Sequence, residues 1–266
     1  MKARAAVLVW AAATVFAAVG ATVPGVAATA GVRAPNIPAP GGPSPDVATG
    51  TSTATSTNWS GYASTGTTFS GVKGTWTQPA STCPSATRQY AAFWVGIDGY
   101  SSDSVEQTGT DSDCDGVNKP SYYAWYEMYP SPSKEITSVP IAPGNVITAK
   151  VVSSGTSFTL TLINDTTGKS FTTTKTLSGA AESSAEWIAE APSSCVASRC
   201  RVLPLADFGS VKFTASEARA GGAFAPINSS SWSDTAITMA KGSTTEATPS
   251  SLASGGAAFS VAWDHT

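Results

Sequence analysis

The chain has 266 residues, of which 12% are charged, and its formal net charge is −3. No Lys/Arg cluster or basic stripe stands out, which excludes nucleic acid as a partner. The scarcity of carboxylates also means few acid-labile ion pairs, which suits a folded state at low pH.

Residues 1–30 predict a secretory signal peptide. Lys2 and Arg4 open it, an uncharged Ala/Val-rich run follows from Ala5 to Val23, and small residues close it at Ala27-Ala28-Thr29-Ala30. Pro24 and Gly25 argue for removal rather than for a membrane anchor. No later run is long and apolar enough to span a bilayer. The expected product is therefore secreted, extracellular and without membrane contact once the signal is gone. Residues 31–56 carry Pro35, Pro38, Pro40, Pro43 and Pro45, then a Thr/Ser run to Thr57. Such a stretch buries too little apolar surface to fold and predicts a disordered propeptide or linker. Residues 57–266 are ample for one domain with a sizeable core.

From Asn58 onward the pattern has period two. Tyr122, Ala124, Tyr126 and Met128 alternate with Tyr123, Trp125, Glu127 and Tyr129. Val146 to Val152 is rich in β-branched residues, Ser157 to Ile163 alternates hydroxyl with apolar side chains, and Asn164 to Lys169 reads as a turn before the alternation resumes from Ser170 to Leu177. Val211 to Thr214 and Phe259 to Trp263 continue it. Short Val-, Thr- and Tyr-rich runs between Gly, Pro and Asn predict strands and hairpins, hence an all-β sandwich or barrel. Four cysteines, Cys83, Cys114, Cys195 and Cys200, follow an export signal and predict disulfides. Of the three possible pairings, proximity favours Cys195 with Cys200, leaving Cys83 with Cys114.

The chemistry is narrowed by elimination. The single histidine, His265, is one residue from the C-terminus and a poor general base. With one histidine and no Cys-x-x-Cys pair, neither a metal nor a cofactor is expected. Carboxylates must then carry any proton chemistry. The conspicuous ones lie inside apolar strands: Asp98 after Phe93-Trp94-Val95-Gly96-Ile97, Glu127 among aromatics, and Glu186 and Glu190 in Ala185-Glu186-Trp187-Ile188-Ala189-Glu190. In a strand Glu186, Ile188 and Glu190 share one face, and a partly desolvated carboxyl is a candidate acid or base. Gln107 in Gln107-Thr108-Gly109 stands where a catalytic aspartate would be needed for an aspartic-peptidase dyad, which rules that dyad out.

Taken in order, Asn58-Trp59-Ser60-Gly61-Tyr62, Trp76-Thr77-Gln78-Pro79, Phe93 to Gly99, Gln107-Thr108-Gly109, Tyr123 to Pro130, Ala185 to Glu190 and Phe208-Gly209-Ser210-Val211 resemble the glutamic peptidases (eqolisins), secreted acid endopeptidases. The resemblance implies two packed antiparallel sheets in a lectin-like jelly roll, an active site on the concave face, and protein or peptide substrates cleaved by a monomer. It implies a Gln/Glu pair, carried here by Gln107 and Glu186, with Glu190 as the fallback on the same face. It implies that Trp59, Trp94, Asp98, Glu127 and Tyr129 line or support the cleft. In the implied mechanism the ionised glutamate takes a proton from water and Gln107 donates to the developing oxyanion. Met128 stands where Trp is common in the family, which points to an altered subsite, and Ser183-Ser184 lack a cysteine that some fungal members have. Two other readings compete: a carbohydrate-binding sandwich with an aromatic platform, and a glycosidase using two carboxylates. Asn58, Asn164 and Asn228 each open a glycosylation sequon.

Overall fold

The computed structural model describes residues 51–196, 199–253 and 255–265, the side chains of 195, 196 and 199 excepted. The expected signal peptide and all but the end of the 31–56 tail lie outside the described residues. In chain order the strands are β1 (Ser52–Ser56), β2 (Trp59–Thr65), β3 (Gly71–Thr77), β4 (Ala92–Ile97), β5 (Val105–Cys114), β6 (Pro120–Tyr129), β7 (Lys134–Glu135), β8 (Val146–Ser154) and β9 (Ser157–Asn164). They continue as β10 (Lys169–Thr176), β11 (Ser184–Glu190), β12 (Ser193–Val196), β13 (Arg199–Val202), β14 (Ser210–Arg219), β15 (Ala225–Pro226), β16 (Ser233–Lys241), β17 (Thr244–Pro249) and β18 (Phe259–Trp263). The described residues contain no helix.

Hydrogen bonding runs in one path, β10-β9-β8-β3-β14-β18-β17-β16-β2-β11-β4-β5-β6-β7, with β12-β13 as a separate hairpin. The path doubles back so that its two halves face each other as a sandwich. Trp76 of β3 donates from Nε1 to Thr110 Oγ1 of β5 at 3.0 Å, and Trp187 Nε1 of β11 donates to the Lys73 carbonyl of β3 at 2.7 Å. Between the halves lies the main core, threaded by an aromatic line from Trp76 to Phe213, Phe259 and Tyr62 with centroids 5.7, 5.1 and 4.7 Å apart. β9 shows why the alternation appears. Phe158, Leu160 and Leu162 point inward and Thr159 and Thr161 outward, as in a sheet with one wet face. Met128 also turns into this core. The expectation that it alters a cleft subsite is therefore corrected: it has the parity of Ala124 and Tyr126, opposite to that of Glu127.

Two features differ from the sequence reading or complete it. The Thr/Ser run ends in an ordered strand, β1, which pairs in parallel with β16 from Ser52↔Thr235 to Ser56↔Met239. Hydroxyl-rich, β-branched residues have the propensity for this once a neighbour offers its edge. Cys83 and Cys114 form a disulfide across 31 positions. Cys200 is also disulfide-bonded, and backbone pairing sets Cys195 opposite Cys200, although the Cys195 side chain lies outside the described residues.

Candidate active site

β2, β11, β4, β5 and β6 lie side by side, and their second face forms a separate cluster from the main core. Trp59, Ala63, Ala92, Trp94, Tyr100, Val105, Trp125, Ile188 and Ile237 make it up, with Tyr123 and Tyr129 packed against it. Strand register lays the polar candidates out in rows. Ala63, Glu186, Gly96, Gln107 and Glu127 form one row; Trp59, Glu190, Ala92, Asp111 and Tyr123 form another. Trp94 stands between the rows, opposite Ile188 and Gly109. Two glycines make room for it. A Cβ at Gly109 would sit 2.6 Å from Trp94 Cβ and 2.2 Å from the Phe93 carbonyl, and one at Gly96 would meet Trp94 Cζ3 at 3.0 Å and Gln107 Cβ at 3.1 Å.

Gln107 is 1% exposed and donates from Nε2 to Glu127 Oε2 at 2.6 Å. Its Oε1 has no hydrogen-bond partner among the described residues. A side-chain amide has two N–H groups, so the bond to Glu127 fixes the amide while leaving a second donor to aim elsewhere. Glu127, expected to line or support the cleft, is buried too.

The two β11 glutamates sit in different surroundings. Glu190 accepts from Trp94 Nε1 at 2.8 Å and from Asn58 Nδ2 at 3.4 Å. Trp94 is itself wedged edge-on against Trp59 with centroids 5.1 Å apart. Donors of this kind favour the ionised carboxylate. Glu186 is fully buried, and neither of its oxygens has a hydrogen-bond partner among the described residues. Burial, then the nearby charges of Asp98 and Glu106, hold its carboxyl well above the usual range; the Ser184 hydroxyl and the Tyr100 backbone offset only part of this. The segment after β4 closes over this end. Tyr100 is 3% exposed, and a Cβ on Gly99 would stand 3.1 Å from Trp59 Cη2.

Asp98 supports rather than lines the site. It adopts φ 70°, a left-handed conformation that Asp tolerates better than most residues. Its carboxylate accepts from Glu182 N at 2.7 Å and from Ser183 N and Oγ at 2.8 and 3.0 Å, which ties the end of β4 to the approach to β11.

Three contributors escaped the sequence reading. Asp111 accepts from Trp125 Nε1 at 2.7 Å and Tyr123 Oη at 2.6 Å, holding two aromatics of the face. Tyr123 also donates to Asp113 at 3.0 Å. Their signal was present, because Asp111 follows Gln107 and Gly109 at period two. Asn58 and the fully buried Glu106 carried no comparable signal. Of the sequons, Asn58 and Asn164 are fully buried, and Asn228 is exposed. Among the described residues no group of His, Cys, Asp and Glu side chains is arranged to hold a metal ion, and no helix is long and apolar enough to cross a membrane.

Comparison with known proteins bears on the family and the fold. The Peptidase A4 family model matches residues 57–263. The chain is 33% identical to Aspergillopepsin-2 of Aspergillus niger over 63% of its own length and 66% of that protein's. It is 34% identical to Scytalidopepsin B of Scytalidium lignicola over 59% of its own length and 61% of that protein's. The matched part thus spans somewhat under two thirds of these relatives. The crystal structure of scytalido-glutamic peptidase with a transition state analog inhibitor superposes with a TM-score of 0.68 and 27% identity, covering 78% of this chain and 98% of that one. With a family match across nearly the whole described fold, the chain belongs to the Peptidase A4 family, the eqolisins.

Proposed function

We infer that this chain is a secreted endopeptidase that hydrolyses protein or peptide substrates at acidic pH, with Gln107 and Glu190 as its catalytic pair. The observation that carries the reading is the contrast in donors on one sheet face. Glu190 has two N–H partners that favour its charged form, and Gln107 has a neutral amide locked at one N–H. The relatives support the substrate class, since scytalido-glutamic peptidase is solved with a transition state analog inhibitor.

Register alone would pair Gln107 with Glu186, which is level with it across Gly96. The environment favours Glu190. A general base must be ionised; burial holds the Glu186 carboxyl well above the usual range, whereas Glu190, also buried, meets N–H donors. In this reading Glu190 and Gln107 act on one substrate from the two rows on either side of Trp94. Glu190 takes a proton from water, and the resulting hydroxide attacks the scissile carbonyl carbon. The free N–H of Gln107 donates to the oxyanion, and no proton leaves the amide. Glu190 then returns its proton to the departing nitrogen as the C–N bond breaks. Because Glu190 must be ionised to take the water's proton, its titration sets the acidic limb of the pH profile.

The test is digestion of a denatured protein from about pH 2 to about pH 8 by wild type, Gln107→Ala, Glu190→Gln and Glu186→Gln. Loss in the first two variants with activity kept in the third is the expected result. Survival of Glu190→Gln with loss of Glu186→Gln moves the base to Glu186. Absence of hydrolysis by folded wild type discards the peptidase reading and favours a sugar-binding sandwich.

A further inference from the structure

β1 precedes the segment matched by the family model, which begins at residue 57. It nevertheless ends in a device that reaches Glu190. Ser52 Oγ and Thr235 Oγ1 are 2.6 Å apart where β1 joins β16. At the other end Ser56 is 1% exposed. Its hydroxyl accepts from Asn58 N at 3.3 Å and Trp59 N at 3.2 Å and donates to Asn58 Oδ1 at 3.1 Å. An amide whose oxygen is claimed by a donor has only one orientation left: Asn58 Nδ2 points to Glu190 Oε1, 3.4 Å away. The Asn58 carbonyl meanwhile accepts from Ala191 N at 2.9 Å, immediately after Glu190 in sequence. Asn58 therefore holds the carboxylate from the β2 side, and Trp94 holds its other oxygen from the β4 side at 2.8 Å.

We propose that Asn58, locked by Ser56 at the end of β1, is a positioning residue for Glu190, and that β1 is retained in the working peptidase. The proposal rests on Glu190 as the base. It implies that any maturation leaves Ser52–Ser56 on the enzyme, because a cut after Ser56 frees the Asn58 amide. Asn58 is also unavailable as a glycosylation acceptor in the folded protein, being fully buried and bonded at both ends of its amide.

The experiment records kcat/KM against pH, with melting temperature in parallel, for Asn58→Ala, Asn58→Asp, Ser56→Ala and Ser56→Thr in the full chain. Removing a donor from a carboxylate makes it easier to protonate. The acidic limb should move to higher pH by up to about one unit, a loss of about tenfold on that flank, in Asn58→Ala and Ser56→Ala. Asn58→Asp, of the same shape but with an acceptor in place of the donor, should move it further, and Ser56→Thr, which keeps the hydroxyl, should restore it. A lower melting temperature with an unmoved limb in Asn58→Ala and Asn58→Asp overturns the proposal, leaving Asn58 a turn residue only. Should Glu190→Gln keep its activity, the assignment of the base fails and this proposal with it. If Glu190→Gln is inactive and the Asn58 limb is unmoved, only this proposal fails. N-terminal sequencing of the active enzyme should find a start at or before Ser52; a start after Ser56 overturns the retention of β1.

Discussion

The two ends of β11 carry the same side chain in opposite environments. At one end Glu190 meets N–H donors from Trp94 and Asn58. At the other, Glu186 has no such pair of donors, only a partial offset from the Ser184 hydroxyl and the Tyr100 backbone, and shares its surroundings with the carboxyls of Asp98 and Glu106. Glu106 repeats the pattern. It is fully buried, its oxygens lack partners among the described residues, and burial followed by the charge of Asp98 and then of Glu182 pushes it up to about 8, with the Ser104 hydroxyl offsetting part. The ion pairs of Lys73 with Glu217 and Arg88 with Asp115 lie elsewhere. Burial alone makes a carboxyl a neutral acid, whereas burial with donors keeps it a base. In the proposed reading, one strand supplies a reactive end and an inert end.

Glu190→Gln should break the contrast most severely, lowering kcat/KM by about 10²–10⁴-fold at the acidic optimum, while Glu186→Gln stays within a few-fold of wild type. Single-turnover hydrolysis of a labelled peptide reads both. Gln107→Ala should cost about 10²–10³-fold in kcat with a smaller change in KM, as expected of a donor that acts on the oxyanion. Retention of kcat there would remove the amide from the reaction.

At the inert end the readout is stability. The folded-state value of Glu106 is raised, so the folded form keeps a proton that the unfolded chain releases. Its contribution is complete below about 4.5 and declines as pH rises toward about 8. Within that window Glu106 should cost about 1.4 kcal/mol per pH unit, and Glu106→Gln, which needs no proton, should flatten the fall. Urea denaturation at intervals across the window tests this. The smallest expected effect on the profile is that of Trp94→Phe, which keeps an aromatic ring at the position and removes the indole N–H. The acidic limb of the kcat/KM profile should rise by about one pH unit.

Much of this architecture was legible before any coordinates. Alternation at Ser157 to Ile163 placed Phe158 and Leu160 inside, because side chains on a strand have no option but to alternate. The same rule put Gln107 and Glu127 on strands whose parity could be read, and it would have added Asp111 had it been carried two residues past Gly109. It could not say that Met128 faces away from the cleft while Glu127 faces into it, since that depends on which face of β6 the other half of the sandwich covers. Nor could composition reveal β1: a Thr/Ser run buries too little to fold alone and becomes a strand only against the edge of β16.

The all-β class, the supply of strand residues and the placing of Glu186 and Glu190 on a common face were readable from the residues, and the pairing of Gln107 with a glutamate was what the resemblance to the eqolisins implied. The tertiary structure gives those two glutamates different surroundings. Residues at Glu186 and Glu190 are equivalent to any periodicity, and what separates them is the arrival of Trp94 and Asn58 from β4 and the β1–β2 turn at one end and of Tyr100, Asp98 and Glu106 at the other. A carboxyl's charge is set by the donors and charges that the fold brings to it from distant positions, and local spacing does not record them.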